Sequence, residues 1–169
     1  MGWTDYLQVM KEYVNKELDS KIFIENEVYK RLLIMQKENS QYETGGIIIG
    51  YYDEECINAI ITECTRPPRD SVATRSRFFR GIKGLNKLLE KKWKQKKEYY
   101  LGEWHLHPGG LPSPSMIDIA QMKKIENNLQ FNCKEPILLI LGEEANCPVL
   151  KLILFRNNKQ YFYNEVKRF

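Results

Sequence analysis

The chain has 169 residues, of which 43% are hydrophobic and 28% are charged, with a formal net charge of +4. This size is typical of one domain that can bury a core, so one domain is expected. No apolar run reaches membrane-spanning length, and the first 20 residues lack the hydrophobic segment and the small-residue cleavage site of a signal peptide, so we expect a cytoplasmic protein.

Hydrophobic periodicity and turn signals divide the chain into alternating elements. Residues 4–18 are interpreted as an amphipathic helix within an N-terminal helical extension (residues 1–20) that precedes the main domain (residues 21–169). Further helices are predicted at residues 26–38, 81–97 and 114–128. Strands are predicted at residues 21–24, 46–52, 57–64, 99–106, 136–141, 149–155 and 159–163. This alternation predicts an α/β fold, a sandwich with a mixed β-sheet between helices.

The helix predicted at residues 81–97 carries a cluster of lysines. Its apolar residues repeat at helical spacing and should face inward: Ile82, Leu85, Leu89 and Trp93. Lysines crowd the same helix from its second turn onward: Lys87, Lys91, Lys92, Lys94, Lys96 and Lys97. Because the helix has an apolar stripe, these lysines are most simply its solvated face. A nucleic-acid-binding module stays open as an alternative function.

The only two histidines of the sequence are two residues apart, where the strand predicted at residues 99–106 ends. Side chains alternate along a strand, so His105 and His107 should face one side while Leu106 points into the core. The two imidazoles therefore converge on one place.

A helix should begin shortly after the histidines, with Ser113 as its N-cap and Pro114 at its first position. In that helix Ser115 and Asp118 are three residues apart and share a face. Asp118 is also in line with an apolar stripe that would pack inward: Met122, Ile125 and Leu129. The carboxylate of Asp118 is therefore expected to point toward the protein.

An inward carboxylate is costly unless it is paired or bound to a metal, and the two histidines are its obvious co-ligands. Taken separately, a His-x-His pair is most often two ordinary strand residues, and an inward aspartate is most often an ion-pair partner or a cap. Together, three ligands leave one position of a tetrahedral zinc site open, as a hydrolytic site requires. The sequence therefore predicts one zinc ion per chain, held by His105, His107 and Asp118.

This arrangement resembles the signature of the JAMM (MPN-plus) zinc metalloproteases. The matching pattern is His105-x-His107, seven residues, Ser115, two residues and Asp118. The resemblance extends over about residues 20–163. It implies a JAMM/MPN-like (cytidine-deaminase-like) sandwich and a peptidase or isopeptidase that removes ubiquitin-like proteins or cuts near their C-termini.

The resemblance also implies an upstream glutamate before a glycine-led apolar strand, which is Glu43 in this chain. Glu43 is expected to act as the general base, taking a proton from water and passing it to the leaving amine. The alternative is that Glu43 merely ends a helix before a Gly-Gly turn. Ser115 is expected to donate a hydrogen bond to the oxyanion, and its alternative is simple helix capping. The family usually has serine or threonine where this chain has Leu106, which leaves the ligands intact but bears on local hydrogen bonding.

Residues 102–108 further resemble a bacterial branch that is encoded beside ubiquitin-transfer-like enzymes in anti-phage (CBASS-type) and integrative-element operons. For that branch the resemblance implies a cyclic-nucleotide-making nucleotidyltransferase as the processed partner. A catalytically silent MPN-type scaffold is the other alternative, although a scaffold has no need of the complete residue set.

The segment from Arg66 to Arg80 contains five arginines around a Pro-Pro loop and a Phe-Phe pair. We expect this segment to border the substrate groove. An edge strand there would hold an extended C-terminal tail by β-augmentation.

Overall fold

A mixed β-sheet dominates the fold of residues 10–167, which are the residues described by the structure, a computed structural model. The strands of this part of the chain are β1 Met10–Asn15, β2 Ser20–Glu25, β3 Thr44–Tyr52, β4 Ala59–Cys64, β5 Val72–Ala73, β6 Phe78–Phe79, β7 Tyr99–Leu106, β8 Ile137–Glu144, β9 Cys147–Arg156 and β10 Lys159–Glu165. Its helices are α1 Asn26–Glu38, α2 Leu85–Lys96 and α3 Met116–Glu126, with a short 3₁₀ turn at Leu129–Phe131.

Eight of these strands form a sheet that closes on itself in the order β1-β10-β9-β8-β7-β3-β4-β2. The pairs β2–β4 and β7–β8 are parallel, and the other pairs described are antiparallel. The predicted α/β class and mixed sheet are confirmed. The sandwich is not, because β1 pairs with both β2 and β10 and joins the two edges of the sheet.

The helix predicted at residues 4–18 is wrong from residue 10 onward, where the chain forms β1 and a turn. Residues 4–9 of that prediction lie outside the described residues. The apolar residues Met10, Tyr13 and Val14 fit a helical spacing as well as a strand in so short a segment. The segment forms a strand because β2 and β10 would otherwise leave backbone groups unpaired at the two edges of the sheet. A strand between them supplies hydrogen-bonding partners to both.

Both faces of the sheet are covered. One face forms the largest core cluster with three buried residues of α1: Val28, Leu32 and Met35. On the opposite face, α3 packs on β8 and β9 through Met122 and Ile125, and α2 packs on β3 through Leu85. Within residues 10–167, none of the helices combines the length and the apolar character that a bilayer crossing requires.

Helix α2 begins four residues later than predicted, and fewer of the apolar residues predicted to face inward are buried. Ile82 is 72% exposed and Trp93 is 51% exposed, whereas Leu85 is buried. Ile82 lies outside the helix, where the Asp70 carboxylate accepts hydrogen bonds from the backbone N–H groups of Ile82 and the next residue. Gly84 then adopts a left-handed conformation (φ 85°), so the helix begins only after it.

Helix α3 also differs from its prediction at both ends. Its N-cap is Ser115 rather than Ser113, so Pro114 lies outside the helix. Leu129, which was predicted on the inward stripe, is 91% exposed because α3 ends at Glu126. The remaining predicted strands and the helix at α1 are confirmed to within three residues. The two-residue strands β5 and β6 lie in the segment from Arg66 to Arg80, for which an edge strand was suggested without bounds.

Candidate metal centre

The two histidines lie at the end of β7, in the middle of the sheet. His105 is paired with Gly45 of β3 on one side and with Ile140 of β8 on the other. The backbone N–H of His107 donates a hydrogen bond of 2.9 Å to the carbonyl of Leu141, so the ladder continues past the strand. The side chain of Leu106 is in the core cluster, as predicted, and the histidines face the opposite side.

Gly45 permits the close packing around His105. A Cβ atom at this position would lie 2.3 Å from the carbonyl oxygen of Trp104 and 3.0 Å from Cδ2 of the His105 ring. The ring of Phe78 in β6 packs edge-on against the same imidazole, with 6.0 Å between centroids and an interplanar angle of 76°. The His105 ring is therefore fixed between β3 and the β5–β6 hairpin and is only 3% exposed.

Asp118 enters the site from the first turn of α3. Its backbone N–H donates to Oγ of Ser115 (3.1 Å), and its Oδ2 accepts from the backbone N–H of Ser115 (2.7 Å), which completes a capping box. Its Oδ1 lies 2.7 Å from Nδ1 of His105, and its Oδ2 lies 3.5 Å from Nε2 of His107. The cap thus aims a buried carboxylate at both imidazoles.

The three side chains fit a metal ion. One ligand atom from each of His105, His107 and Asp118 lies within 4.8 Å of the other two. Two imidazoles and a carboxylate are the protein ligands of many catalytic metal sites that keep one position open. The structure therefore brings together the three ligands predicted from the sequence.

Charge attraction dominates the metal-free cluster. Burial lowers the pKa of His105, but the carboxylates of Asp118 and Glu103 outweigh it and raise this pKa to about 9. Burial likewise lowers the pKa of His107, yet Asp118 and Glu43 raise it above its usual range. Burial raises the pKa of Asp118, but hydrogen bonds from the two histidines hold it well below its usual range. Protons and a metal ion therefore compete for the same ligands.

Glu43 directly precedes β3 and is half-buried. Its backbone N–H donates a hydrogen bond of 3.0 Å to the carbonyl of Thr74 in the hairpin. Burial raises the pKa of Glu43, the charges of His107 and His105 lower it, and Asp118 raises it again. The charges of all three candidate ligands thus act on the Glu43 carboxyl group, and its catalytic role stays a prediction.

Ser115 has the capping role that was its alternative interpretation, because its Oγ accepts the N–H of Asp118. Accepting that bond leaves the hydroxyl hydrogen available for a donor role, which also stays a prediction.

Three further residues lie behind His105: Glu103, Arg80 and Gln121. Glu103 is fully buried, and its carboxylate accepts hydrogen bonds of 2.7 Å from Arg80 Nε and from Gln121 Nε2. Our sequence interpretation assigned none of them to the site. The position of Glu103 two residues before His105, on the same face of the strand, was the one available signal.

The arginine segment lies beside the site, since the β5–β6 hairpin contacts Glu43 through Thr74 and His105 through Phe78. Its arginines have different environments. Arg66 is paired with Glu38, whereas Arg80 is paired with Glu103. In α2 and at its C-cap the lysines are mostly exposed, as a solvated face requires, and nucleic-acid binding is untested.

The chain was compared with known proteins. Residues 25–152 match the family described as prokaryotic homologs of the JAB domain. A protein of Enterobacter hormaechei subsp. hoffmannii (strain UCI 50) named CD-NTase/cGAS isopeptidase is 50% identical over 100 residues, which are 59% of this chain and 55% of that protein. The chain thus spans about half the length of this relative.

A protein of Escherichia coli (strain TW11681) with the same name is 33% identical over 133 residues, covering 76% of this chain and 80% of that protein. The solution structure of a protein from Desulfitobacterium hafniense is similar in fold, with a TM-score of 0.57 and 18% identity. That similarity covers 86% of this chain and 90% of the other.

Proposed function

The chain belongs to the family of prokaryotic homologs of the JAB domain, and from that premise we propose that it is a zinc-dependent isopeptidase. Its proposed substrate is a CD-NTase, a cyclic-nucleotide-making nucleotidyltransferase, joined through its C-terminus to another protein. The observation that carries the proposal is the buried cluster of His105, His107 and Asp118 beside Glu43. The names of the Enterobacter and Escherichia relatives support the substrate.

Zinc is the metal that this ligand set favours, because neutral imidazoles and one carboxylate are its common ligands in hydrolases. When bound, Zn²⁺ would lower the pKa of a water molecule and polarise the scissile carbonyl. His105, His107 and Asp118 would hold it. The capping box keeps Asp118 oriented, because both partners of that box are within one helical turn.

Glu43 is the proposed general base. It removes a proton from the attacking water, whose oxygen adds to the carbonyl carbon, and delivers the proton to the leaving nitrogen as the C–N bond breaks. Its raised pKa suits this exchange, because a carboxyl group that is too acidic holds the transferred proton poorly. Ser115 is the proposed donor to the oxyanion, from a position fixed at the start of α3. The products are a free C-terminal carboxylate and a free amine.

The substrate tail is proposed to lie along the β5–β6 hairpin. These two strands form a separate sheet in which neither strand pairs with a third strand of residues 10–167, and an extended chain could pair with one of them. The hairpin lies beside Glu43 through Thr74 and beside His105 through Phe78, so a tail bound there would lead toward the cluster. Ubiquitin-transfer-like enzymes of the same operon are proposed to make the bond that this protein cleaves, in the cytoplasm, as part of anti-phage defence.

A scaffold without activity is the less favourable alternative, because it gives no role to the convergence of Asp118 with both imidazoles or to the half-buried carboxyl of Glu43. The test is metal dependence. Protein stripped with a chelator should not cleave a CD-NTase fusion, and one equivalent of zinc per chain should restore cleavage. A stripped protein that takes up no zinc, measured by elemental mass spectrometry, would refute the proposal.

A further inference from the structure

Glu103 is a carboxylate with no exposed surface in the middle of β7. Its Oε1 accepts a hydrogen bond of 2.7 Å from Arg80 Nε, and its Oε2 accepts one of 2.7 Å from Gln121 Nε2. Arg80 is anchored in turn by a 2.8 Å hydrogen bond from Nη1 to the carbonyl of Gly81. Three separate parts of the chain thus meet at this one side chain: the end of β6, strand β7 and helix α3.

The His105 ring lies between two carboxylates. Its Nδ1 faces Oδ1 of Asp118 at 2.7 Å, and its Nε2 lies 3.5 Å from Oε2 of Glu103. That distance is longer than a good hydrogen bond, and Nε2 has no hydrogen-bond partner in the described part of the chain. A small shift of the Glu103 carboxylate would let the ring nitrogen donate to it.

Stability alone is a weak reason for this arrangement. A buried ion pair loses the hydration of both charges, and well-packed apolar residues often stabilise a protein as much or more. A histidine that binds a metal through one ring nitrogen commonly donates its other N–H to a carboxylate, which fixes the orientation of the ring. Glu103 is a carboxylate at such a position.

We propose that Glu103 is a positioning residue for His105, held in place by Arg80 and Gln121. The inference rests on the proposed function, because it concerns His105 as a metal ligand. Gln121 lies one turn after Asp118 on α3, so the same helix supplies one ligand and orients the support of another. The hairpin that borders the site supplies the second support through Arg80.

The test measures zinc affinity by competition with a chelator, a readout that does not require cleavage. Glu103→Gln should bind zinc about 10–100-fold more weakly than the wild type, which is the usual cost of losing such a partner. This single variant leaves Arg80 buried without its counter-charge and will lower the melting temperature. The double variant Arg80→Met with Glu103→Gln removes both charges and should recover much of the melting temperature of the metal-free protein.

The double variant separates the two roles. If Glu103 positions His105, zinc affinity stays low in the double variant although stability recovers. If the pair is merely structural, zinc affinity recovers with stability, and the proposal is overturned. Gln121→Met removes only one hydrogen bond to Glu103 and should weaken zinc binding by a smaller factor, so it provides a folded variant if the others do not fold.

The matched control is the ion pair between Arg156 and Glu135, which joins Nε and Oε1 at 2.6 Å away from the cluster. Glu135→Gln with Arg156→Met should leave zinc affinity within about twofold of the wild type, since neither residue contacts a ligand. A wild-type protein that binds no zinc would instead refute the proposed function. Wild-type zinc binding combined with unchanged affinity in folded Glu103→Gln would refute the positioning role alone.

Discussion

The carboxylate of Asp118 accepts a 2.7 Å hydrogen bond from the backbone N–H of Ser115 through Oδ2, while its Oδ1 faces His105. One side chain therefore completes the N-terminal cap of α3 and presents an oxygen to the metal centre. These two roles require different atoms and different charges, so substitutions can separate them.

Asp118→Asn keeps an oxygen that can accept the Ser115 N–H but removes the charge that a metal ligand supplies. We expect this variant to lose tight zinc binding, and its metal-free melting temperature should also fall, because the two histidines lose the charge that raises their pKa. Asp118→Ala should lose zinc binding and be about 1 kcal/mol less stable than Asp118→Asn, because the capping box is broken as well. Calorimetry of the metal-free proteins, together with zinc titration, checks both parts. Retention of wild-type zinc affinity by Asp118→Asn would remove Asp118 from the ligand set.

Glu43→Gln should keep the fold and close to one equivalent of zinc, yet lose cleavage by about a hundredfold or more, which is typical of removing an acid–base group. Zinc content and the rate of cleavage are measured on the same preparation. Glu54→Gln, an exposed glutamate in a loop, is the matched control and should retain full rate. Loss of zinc in Glu43→Gln would make Glu43 a ligand, and an unchanged rate would contradict its role as a base.

The clustering of the three candidate ligands could be predicted from the sequence because their spacing is local. His105 and His107 alternate on one strand, and Asp118 follows in the next helix, so short-range geometry suffices. Glu43 could not be assigned to the site from local spacing, because it precedes a different strand, and only the resemblance to JAMM proteases indicated it. The pairing of β3 with β7 brings the start of β3 beside the histidines and so explains its position.

The features that could not be predicted depend on contacts between residues far apart in the sequence. β1 is a strand because two distant sheet edges require it, and its own residues fit a helix as well. The contact of Glu103 with Arg80 and Gln121 joins three separate elements, and no local pattern relates them. Ile82 does not belong to the inward stripe predicted for α2, because Asp70, a residue outside the helix, holds the backbone just before the helix begins.

Zinc affinity should rise with pH, because protons must leave the ligands. The pKa of His105 in the metal-free protein is raised to about 9 from its usual value of 6.5. Zinc must displace that proton below pH 9, so affinity should increase at least about tenfold per pH unit from pH 6.5 toward pH 9, and more steeply where His107 is protonated too. Chelator competition at a series of pH values measures this slope. A flat profile would mean that His105 is already neutral at pH 6.5.

Zinc affinity should rise with pH, but the stability of the metal-free protein should fall, because of the same raised pKa of His105. A raised pKa contributes stability that is fully present below pH 6.5, the usual value, and that is lost as the pH rises through about 9. The melting temperature of metal-free protein should therefore fall between pH 6.5 and pH 9. The zinc-loaded protein should not follow this decline, since affinity increases over the same range.

Gly45→Ala should damage the site through its backbone. The added methyl group would lie 2.3 Å from the carbonyl oxygen of Trp104 and 3.0 Å from the His105 ring, so β3 or the ring must move. We expect a loss of about 1–3 kcal/mol in stability and a clear loss of zinc affinity. Gly110→Ala is the control, because its methyl group would lie 3.6 Å from Cβ and 3.7 Å from the carbonyl oxygen of His107, which are ordinary van der Waals contacts. Equal behaviour of the two variants would contradict the close packing at Gly45.

The most direct test of the account is the intact mass of the products made from a defined conjugate. The substrate is a CD-NTase whose C-terminal carboxylate is joined to a lysine of a carrier protein, incubated with the zinc-loaded protein and, in parallel, with Glu43→Gln. The account predicts two products from the wild type, a CD-NTase with its complete C-terminus and an unmodified carrier, and an intact conjugate with the variant. A conjugate that stays intact with the zinc-loaded wild type, or one that is cut at another bond, would contradict the account.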